Sequence, residues 1–421
     1  MTNSKGLTTK DRVDALLAFY ASIEFVSDEK QVEDAKRQGR SWRIEYIQGR
    51  QVFAFIDDEK LGIAADKIWA CARIADKFAR NTIVGRIANY FYAVKLDKAV
   101  NVQRLAEAFL ERLWAEPPVV VKVYMEMFGA HVKNGNIQKG DFTFMPAGGF
   151  DALGIKEIVP GSLLQIKERI WGNVSHVAVS VLACDVEKAR ELAAVEFKWL
   201  ENAVRLFINT RYLDLGITSQ SSVYVENALA IGANGMLGAS SNVRGPSDEM
   251  VLDDVFARNP HVNVVLETLG RKSDSLTRLQ SRIRQAVYLG GLSTRAADDA
   301  IAYFLCVSAL EAIFVADRDR YVNPSIANQI IEAFCYLIGD DDEKRIVYEQ
   351  MHGFYEKRSA VAHGGDKKIS KEDVRVAQQY LRTAVVKLLN DPVLSKVPTV
   401  EELGELVKDR KFGRKQQKGG I

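Results

Sequence analysis

The hydrophobic period changes several times along the chain, and those changes divide it. Residues 8 to about 38 place Val13, Leu16, Leu17 and Tyr20 on one stripe among charged neighbours, the spacing of an amphipathic helix. The period then drops to two. Residues 42–47 and 51–56 alternate on either side of Gln48-Gly49-Arg50, which predicts a hairpin. Residues 61 to 92 return to helical spacing through Ile68, Ala72, Ala75 and Phe78, and another helix is expected from Val102 to Trp114, ahead of Pro117-Pro118. Val119 to Phe128 and Asp141 to Met145 read as strands joined by a loop containing Asn134-Gly135-Asn136. His176 to Ala183 reads as a further strand, running into a long helix from Val186 to Thr210. Residues 1–250 are therefore expected to form an α+β module with mainly antiparallel strands.

Gly245-Pro246-Ser247-Asp248-Glu249 marks a loop, and beyond it the spacing is helical. Five helices are expected over residues 270–395. The first runs from Ser275 to Leu289 with Leu279, Ile283, Ala286 and Val287 inward, Arg278, Arg282 and Arg284 largely outward, and Gly290-Gly291 as its end. The others span Ala296 to Val315, Pro324 to Ile338 and Asp342 to His363, and the last opens at Ser370-Lys371-Glu372-Asp373. That opening fits a capping box, ahead of Val374, Ala377, Leu381, Ala384 and Leu388 at helical spacing. Short connections predict an antiparallel bundle, so the fold class is an α+β region followed by an all-α bundle. Residues 396–421 read as a basic tail without regular structure, with Lys408, Arg410, Lys411, Arg414, Lys415 and Lys418 against Asp409.

Composition narrows the function classes only a little. The 421 residues suffice for two or three domains, and 47% hydrophobic with 27% charged residues is ordinary for a globular chain. A net charge of +2 gives no general polyanion-binding signature, so any nucleic-acid contact must come from a local patch. Cys71, Cys184, Cys306 and Cys335 stand far apart in apolar settings, which fits core residues in a reducing, cytoplasmic compartment. The N-terminus has no apolar h-region, so no signal peptide is expected. Ala300 to Ala316 is apolar but interrupted by Glu311 and flanked by Asp298, Asp299 and Asp317, which favours a buried helix over a membrane span.

Three features invite chemistry and do not carry it. Residues 231–238 are glycine-rich but lack the Gly-Lys-Ser/Thr of a phosphate loop, and read as a flexible loop. His131, His176, His261 and His352 stand singly, without metal-ligand spacing, so neither a metal nor a cofactor is expected. Trp69, Trp171 and Trp199 lie in helix or strand patterns and read as core.

The stretch that does carry chemistry runs from Phe354 to Gly365. It reads as the last turns of a helix ended by Gly364-Gly365, with Arg358 and His363 spaced as R-x4-H. Arginine is a permanent cation shaped for phosphate, and histidine titrates near neutrality. Both residue types also suit a helix C-terminus, where cations meet the dipole. Five positions leave the two side chains roughly 140° apart on an ideal helix, so they do not share a face. Either the helix unwinds before His363 or the site is shared between two chains.

Arg358-Ser359-Ala360-Val361-Ala362-His363-Gly364, preceded by Tyr355 and by Ala309-Leu310-Glu311-Ala312-Ile313-Phe314, resembles the HEPN superfamily, and within it the Apea-like branch. The resemblance covers about the last third of the chain. It implies a homodimer whose paired motifs line one cleft, and a metal-independent endoribonuclease leaving a 2′,3′-cyclic phosphate. Its substrate would be RNA such as tRNA, and its setting antiviral defence by abortive infection. In that reading His363 is the general acid or base and Arg358 binds the scissile phosphate. Glu311, a lone carboxylate in an apolar helix, would face Arg358 and fix its guanidinium. Ser359, Tyr355 and Lys357 are lesser candidates for substrate contact, and the basic tail for steering RNA in a salt-dependent way. The alternative is a non-catalytic HEPN domain for dimerisation or nucleotide and RNA binding, with recognition left to residues 1–250.

Overall fold

The computed structural model describes residues 7–26, 30, 32–34, 41–47, 50–97, 101–127, 129–148, 174–208, 217, 224–232, 237–244, 250–315, 326–338, 344–362 and 368–413. The chain divides into two compact units, one of residues 1–123, 180–193 and 230–238, the other of 124–179, 194–229 and 239–421.

The first unit begins with α1 (Thr9–Ser22), which the Thr8–Asp11 capping box opens. The helix expected to reach residue 38 is interrupted after Ser22, and residues 30 and 32–34 are helical again. Ile23 is extended, and the β-forming run behind it makes β1 (Glu24–Val26). The expected hairpin is present as β2 (Ser41–Ile47) and β3 (Arg50–Ile56), antiparallel with Ile47 opposite Arg50 and Trp42 opposite Phe55. Strand β1 pairs antiparallel with the far edge of β3, giving the order β1-β3-β2. Gln48 and Gly49 of the turn lie outside the described residues.

Next come α2 (Asp58–Trp69), a single turn α3 (Ala72–Ala75), α4 (Arg80–Leu96) and α5 (Val102–Ala115). The one helix expected over residues 61–92 is thus broken between Trp69 and Arg80, with no glycine or proline there. Hydrogen bonds involving side chains accompany the break. The Trp69 indole donates to the Phe78 carbonyl at 3.2 Å, and the Ala79 N–H donates to the Asp185 carboxylate at 3.0 Å. These bonds satisfy groups that a continuous helix would pair internally. Around the break Leu16, Phe19, Ile68, Phe78, Phe91 and Leu110 form the core, with Tyr90 stacked on Phe109 at 4.9 Å.

Further strands are β4 (Val119–Glu126), β5 (Ala130–His131), β6 (Ile137–Lys139), β7 (Phe142–Met145) and β8 (His176–Ala183). After α6 (Val186–Ile208) follow β9 (Tyr224–Gly232), β10 (Leu237–Arg244) and β11 (Met250–Val251). Six of them follow the sheet order β10-β9-β4-β8-β7-β6. Strand β7 is antiparallel to β6, with Phe142 opposite Lys139, and to β8, with Phe142 opposite Val179. The glycine-rich loop expected over residues 231–238 is narrower than its composition suggests. Ile231 and Gly232 end β9, and Leu237 and Gly238 open β10. Gly238 has a packing reason to be glycine, since a Cβ there would lie 2.3 Å from Val186. Residues 233–236, Trp171 and the 245–249 loop lie outside the described residues.

The C-terminal segment is helical: α7 (Leu252–Arg258), α8 (Pro260–Leu269), α9 (Arg278–Ser293), α10 (Asp299–Phe314) and α11 (Ile326–Ala333), the last continued by a π turn over Phe334–Ile338. Then come α12 (Lys344–Ala362), α13 (Lys371–Asn390) and α14 (Val400–Lys411). Helix α10 buries Tyr303, Cys306, Val307, Leu310 and Ile313, and packs against α9, α12 and α13.

Three expectations are corrected in this segment. Gly290-Gly291 does not end α9, which runs on to Ser293. The pair instead lets neighbours approach, since a Cβ on Gly291 would lie 2.3 Å from the Asn202 backbone and one on Gly290 2.4 Å from Leu381. Arg282 and Arg284 are not free surface cations. Arg282 caps α10 by donating to the Val315 carbonyl at 2.6 Å, and Arg284 pairs with Glu196 beneath the Trp199 ring. Regular structure also continues past residue 396. Thr399 caps α14, whose Lys411 pairs with Glu332 at 2.7 Å while Arg410 donates to the Tyr336 carbonyl at 3.0 Å. Residues 414–421 lie outside the described residues, and none of the described helices is long and apolar enough to cross a membrane.

Candidate functional site

The site is built where α12 lies against α10. Phe354 anchors α12, its ring 5.0 Å from Tyr303 of α10 and 5.7 Å from Tyr380 of α13. The Tyr303 hydroxyl donates to the Phe354 carbonyl at 2.6 Å, and burial pushes that phenol far above its usual range. With Met351 and Phe354 turned inward, Tyr355 and Arg358 fall on the half-buried edge of α12, facing the stripe of α10 that carries Glu311.

Glu311 and Arg358 meet. Nη2 of Arg358 lies 3.1 Å from Oε1 and 3.4 Å from Oε2 of the carboxylate, with the two side chains 22% and 20% exposed. The Tyr355 hydroxyl donates to Oε1 at 2.7 Å. Burial, then that hydrogen bond and the charge of Glu311, push the Tyr355 phenol up to about 12. Two rings flank the guanidinium, Phe304 at 5.6 Å and Tyr355 at 5.7 Å. Nε of Arg358 is buried and has no hydrogen-bond partner among the described residues.

The remaining candidates divide. Lys357 is committed to Asp373 of α13, the same carboxylate that closes the Ser370 capping box. Burial works against ionising Asp373, but the bonds from Lys357 and Ser370 outweigh it and hold that carboxyl below its usual range. Ser359 is exposed on α12. His363 lies outside the described residues, directly after Ala362, the last residue of the helix. The structure thus brings together Glu311, Arg358 and Tyr355, and ties Lys357 to the start of α13.

Phe304 is the residue that sequence reasoning passed over, grouped with the apolar neighbours of Glu311. It is 38% exposed, and Ile301, one turn earlier on α10, is 58% exposed. A signal existed: seven positions separate Phe304 from Glu311, which puts them on one helical face.

Chemically, the cluster offers a permanent cation oriented by a carboxylate, a hydroxyl sharing that carboxylate, and an aromatic surface open to solvent. No set of His, Cys, Asp or Glu able to hold a metal ion occurs among the described residues. Comparison with known proteins finds no matching family model, no similar curated protein and no similar solved structure.

Proposed function

We propose that the protein is a metal-independent endoribonuclease of HEPN type. The observation that carries this reading is the guanidinium of Arg358, fixed on Glu311 five residues before His363. A phosphate-shaped cation and a titratable imidazole, five residues apart in the sequence, are the groups that RNA transesterification needs. The 2′-oxygen bonds to phosphorus as its proton leaves to a base, and the P–O5′ bond breaks as the departing oxygen takes a proton. Arg358 stabilises the charge on the phosphoryl oxygens, and His363 moves a proton. The HEPN resemblance implies that the active species is a homodimer with two motifs in one cleft, so that a second His363 can serve the other proton transfer. The products are a 2′,3′-cyclic phosphate and a 5′-hydroxyl. A cytoplasmic role in antiviral defence, cutting tRNA or other RNA, completes the proposal.

One observation favours a second reading, a binding or dimerisation module without catalysis. Both cations ahead of the histidine already have carboxylate partners, Lys357 with Asp373 and Arg358 with Glu311. Incubating the purified protein with total RNA and tRNA in EDTA decides between the two. Cyclic-phosphate ends from the wild type, absent from an Arg358→Ala/His363→Ala double variant, support the nuclease. Nucleotide-dependent thermal stabilisation without cleavage, in a protein whose expression is not toxic, supports the binding module.

A further inference from the structure

We infer that Phe304 is a base-stacking residue, holding the nucleobase next to the phosphate that Arg358 binds. The inference rests on the RNA reading above and adds a residue to it.

Helix α10 places Ile301, Phe304, Ser308 and Glu311 along one face, at spacings of three and four. None of the four is fully buried, although Tyr303, Cys306, Val307 and Leu310 between them are. The stripe therefore runs from an open apolar end at Ile301 and Phe304 to a charged end at Glu311. Arg358 bridges those ends, with its guanidinium carbon 5.6 Å from the Phe304 ring and Nη2 3.1 Å from Glu311. A nucleotide has the same polarity over the same reach, a flat base beside an anionic phosphate. With its phosphate on Arg358, its base meets the part of the Phe304 ring that the guanidinium leaves uncovered. Stacking on a phenyl ring tolerates any base but requires one that is not already paired and stacked in a duplex. Phe304 thus selects unpaired nucleotides, while Arg358 supplies a phosphate contact that any RNA can make.

The test is fluorescence-polarisation binding of a short labelled single-stranded RNA and of its duplex, at one low salt concentration, to wild type and to Phe304→Ala, Phe304→Leu and Phe304→Trp. Stacking predicts that the alanine and leucine variants bind the single strand about 5- to 150-fold more weakly while duplex binding stays unchanged. The tryptophan variant should match or exceed the wild type. Leucine keeps the apolar bulk, so its failure to rescue separates stacking from packing, and thermal melts confirm that each variant is folded. If the variants bind RNA with the wild-type ratio of single strand to duplex, the inference is overturned and the RNA reading stands. If the wild type binds neither RNA, both fall. A change in solution mass with unchanged RNA affinity would make Phe304 a protein contact and overturn the inference alone.

Discussion

Among the arginine–glutamate pairs of the described residues, Arg86–Glu116 and Arg358–Glu311 each sit beside aromatic rings, and they are built differently. In the first unit Arg86 meets Glu116 with both terminal nitrogens, Nη1 on Oε2 and Nη2 on Oε1, while its guanidinium lies 4.6 Å from the centre of Phe78, a fully buried ring. In the second unit Arg358 reaches Glu311 through Nη2 alone, shares that carboxylate with Tyr355, and lies beside Phe304, a ring open to solvent. The first is a fork closed on a fork, the geometry in which an arginine holds a chain segment in place. The second uses one arm of the fork and leaves Nε buried without a described partner. A buried donor in that state costs about 1–3 kcal/mol. Arg86 is satisfied by its own neighbours, and Arg358 is oriented by them but not saturated.

Replacing each arginine by alanine gives the comparison its strongest test. Arg358→Ala should lower the rate of metal-free RNA cleavage about 100- to 1,000-fold, the usual loss when a group stabilising transition-state charge is removed. Arg86→Ala should leave that rate unchanged. Equal effects from the two substitutions would mean that Arg358 is a structural fork like Arg86. Glu311→Ala separates orientation from stability. It strands a guanidinium that is 22% exposed, so denaturant titration should show a loss of about 1–3 kcal/mol together with slower cleavage. Stability that falls while cleavage holds would remove Glu311 from the site. For Arg86→Ala the expected loss is smaller, about 1 kcal/mol, because both partners are about one-third exposed and part of the cost is lost packing on Phe78.

The two regions also differ in how far they can be read from the residues. Glu311 was legible because a carboxylate inside an apolar helix must find a partner, and the nearest phosphate-type cation in the motif is Arg358. Ser370 and Asp373 announced the start of α13 by local chemistry alone, and the structure shows their capping box. Phe304 was legible only in part: its spacing places it on the face of Glu311, but nothing local shows that face to be open. Helix α10 is apolar on nearly every side, so no stripe in the pattern separates the face turned to the core from the face beside Arg358. Gly290-Gly291 misled for a related reason: the pair looks like a helix end, and only Asn202 and Leu381, distant in sequence, show that it serves close packing. The break before Arg80 is accompanied by a bond to Asp185, more than a hundred residues away, which a local pattern cannot contain.

The smallest expected effect concerns the Tyr355 hydroxyl, which shares the Glu311 carboxylate with Arg358. The Tyr355 phenol stands at about 12, above its ordinary value of 10.0, so folding favours the protonated form. A group raised in this way contributes stability that is complete below its unfolded value and is lost as pH rises through its folded value. The window is therefore about pH 10 to 12, and stability should fall with rising pH across it. Other phenols raised by burial, Tyr124, Tyr303 and Tyr380, add to that fall, so the readout is a difference between two proteins. Melting temperatures of wild type and Tyr355→Phe should run parallel from pH 7 to 10 and converge above it, since the variant has no phenol to ionise. Parallel curves up to pH 12 would show that the Tyr355 hydroxyl is not coupled to Glu311. Arg358 would then be oriented by the carboxylate alone, and the contrast with Arg86 would reduce to the number of nitrogens each arginine places on its partner.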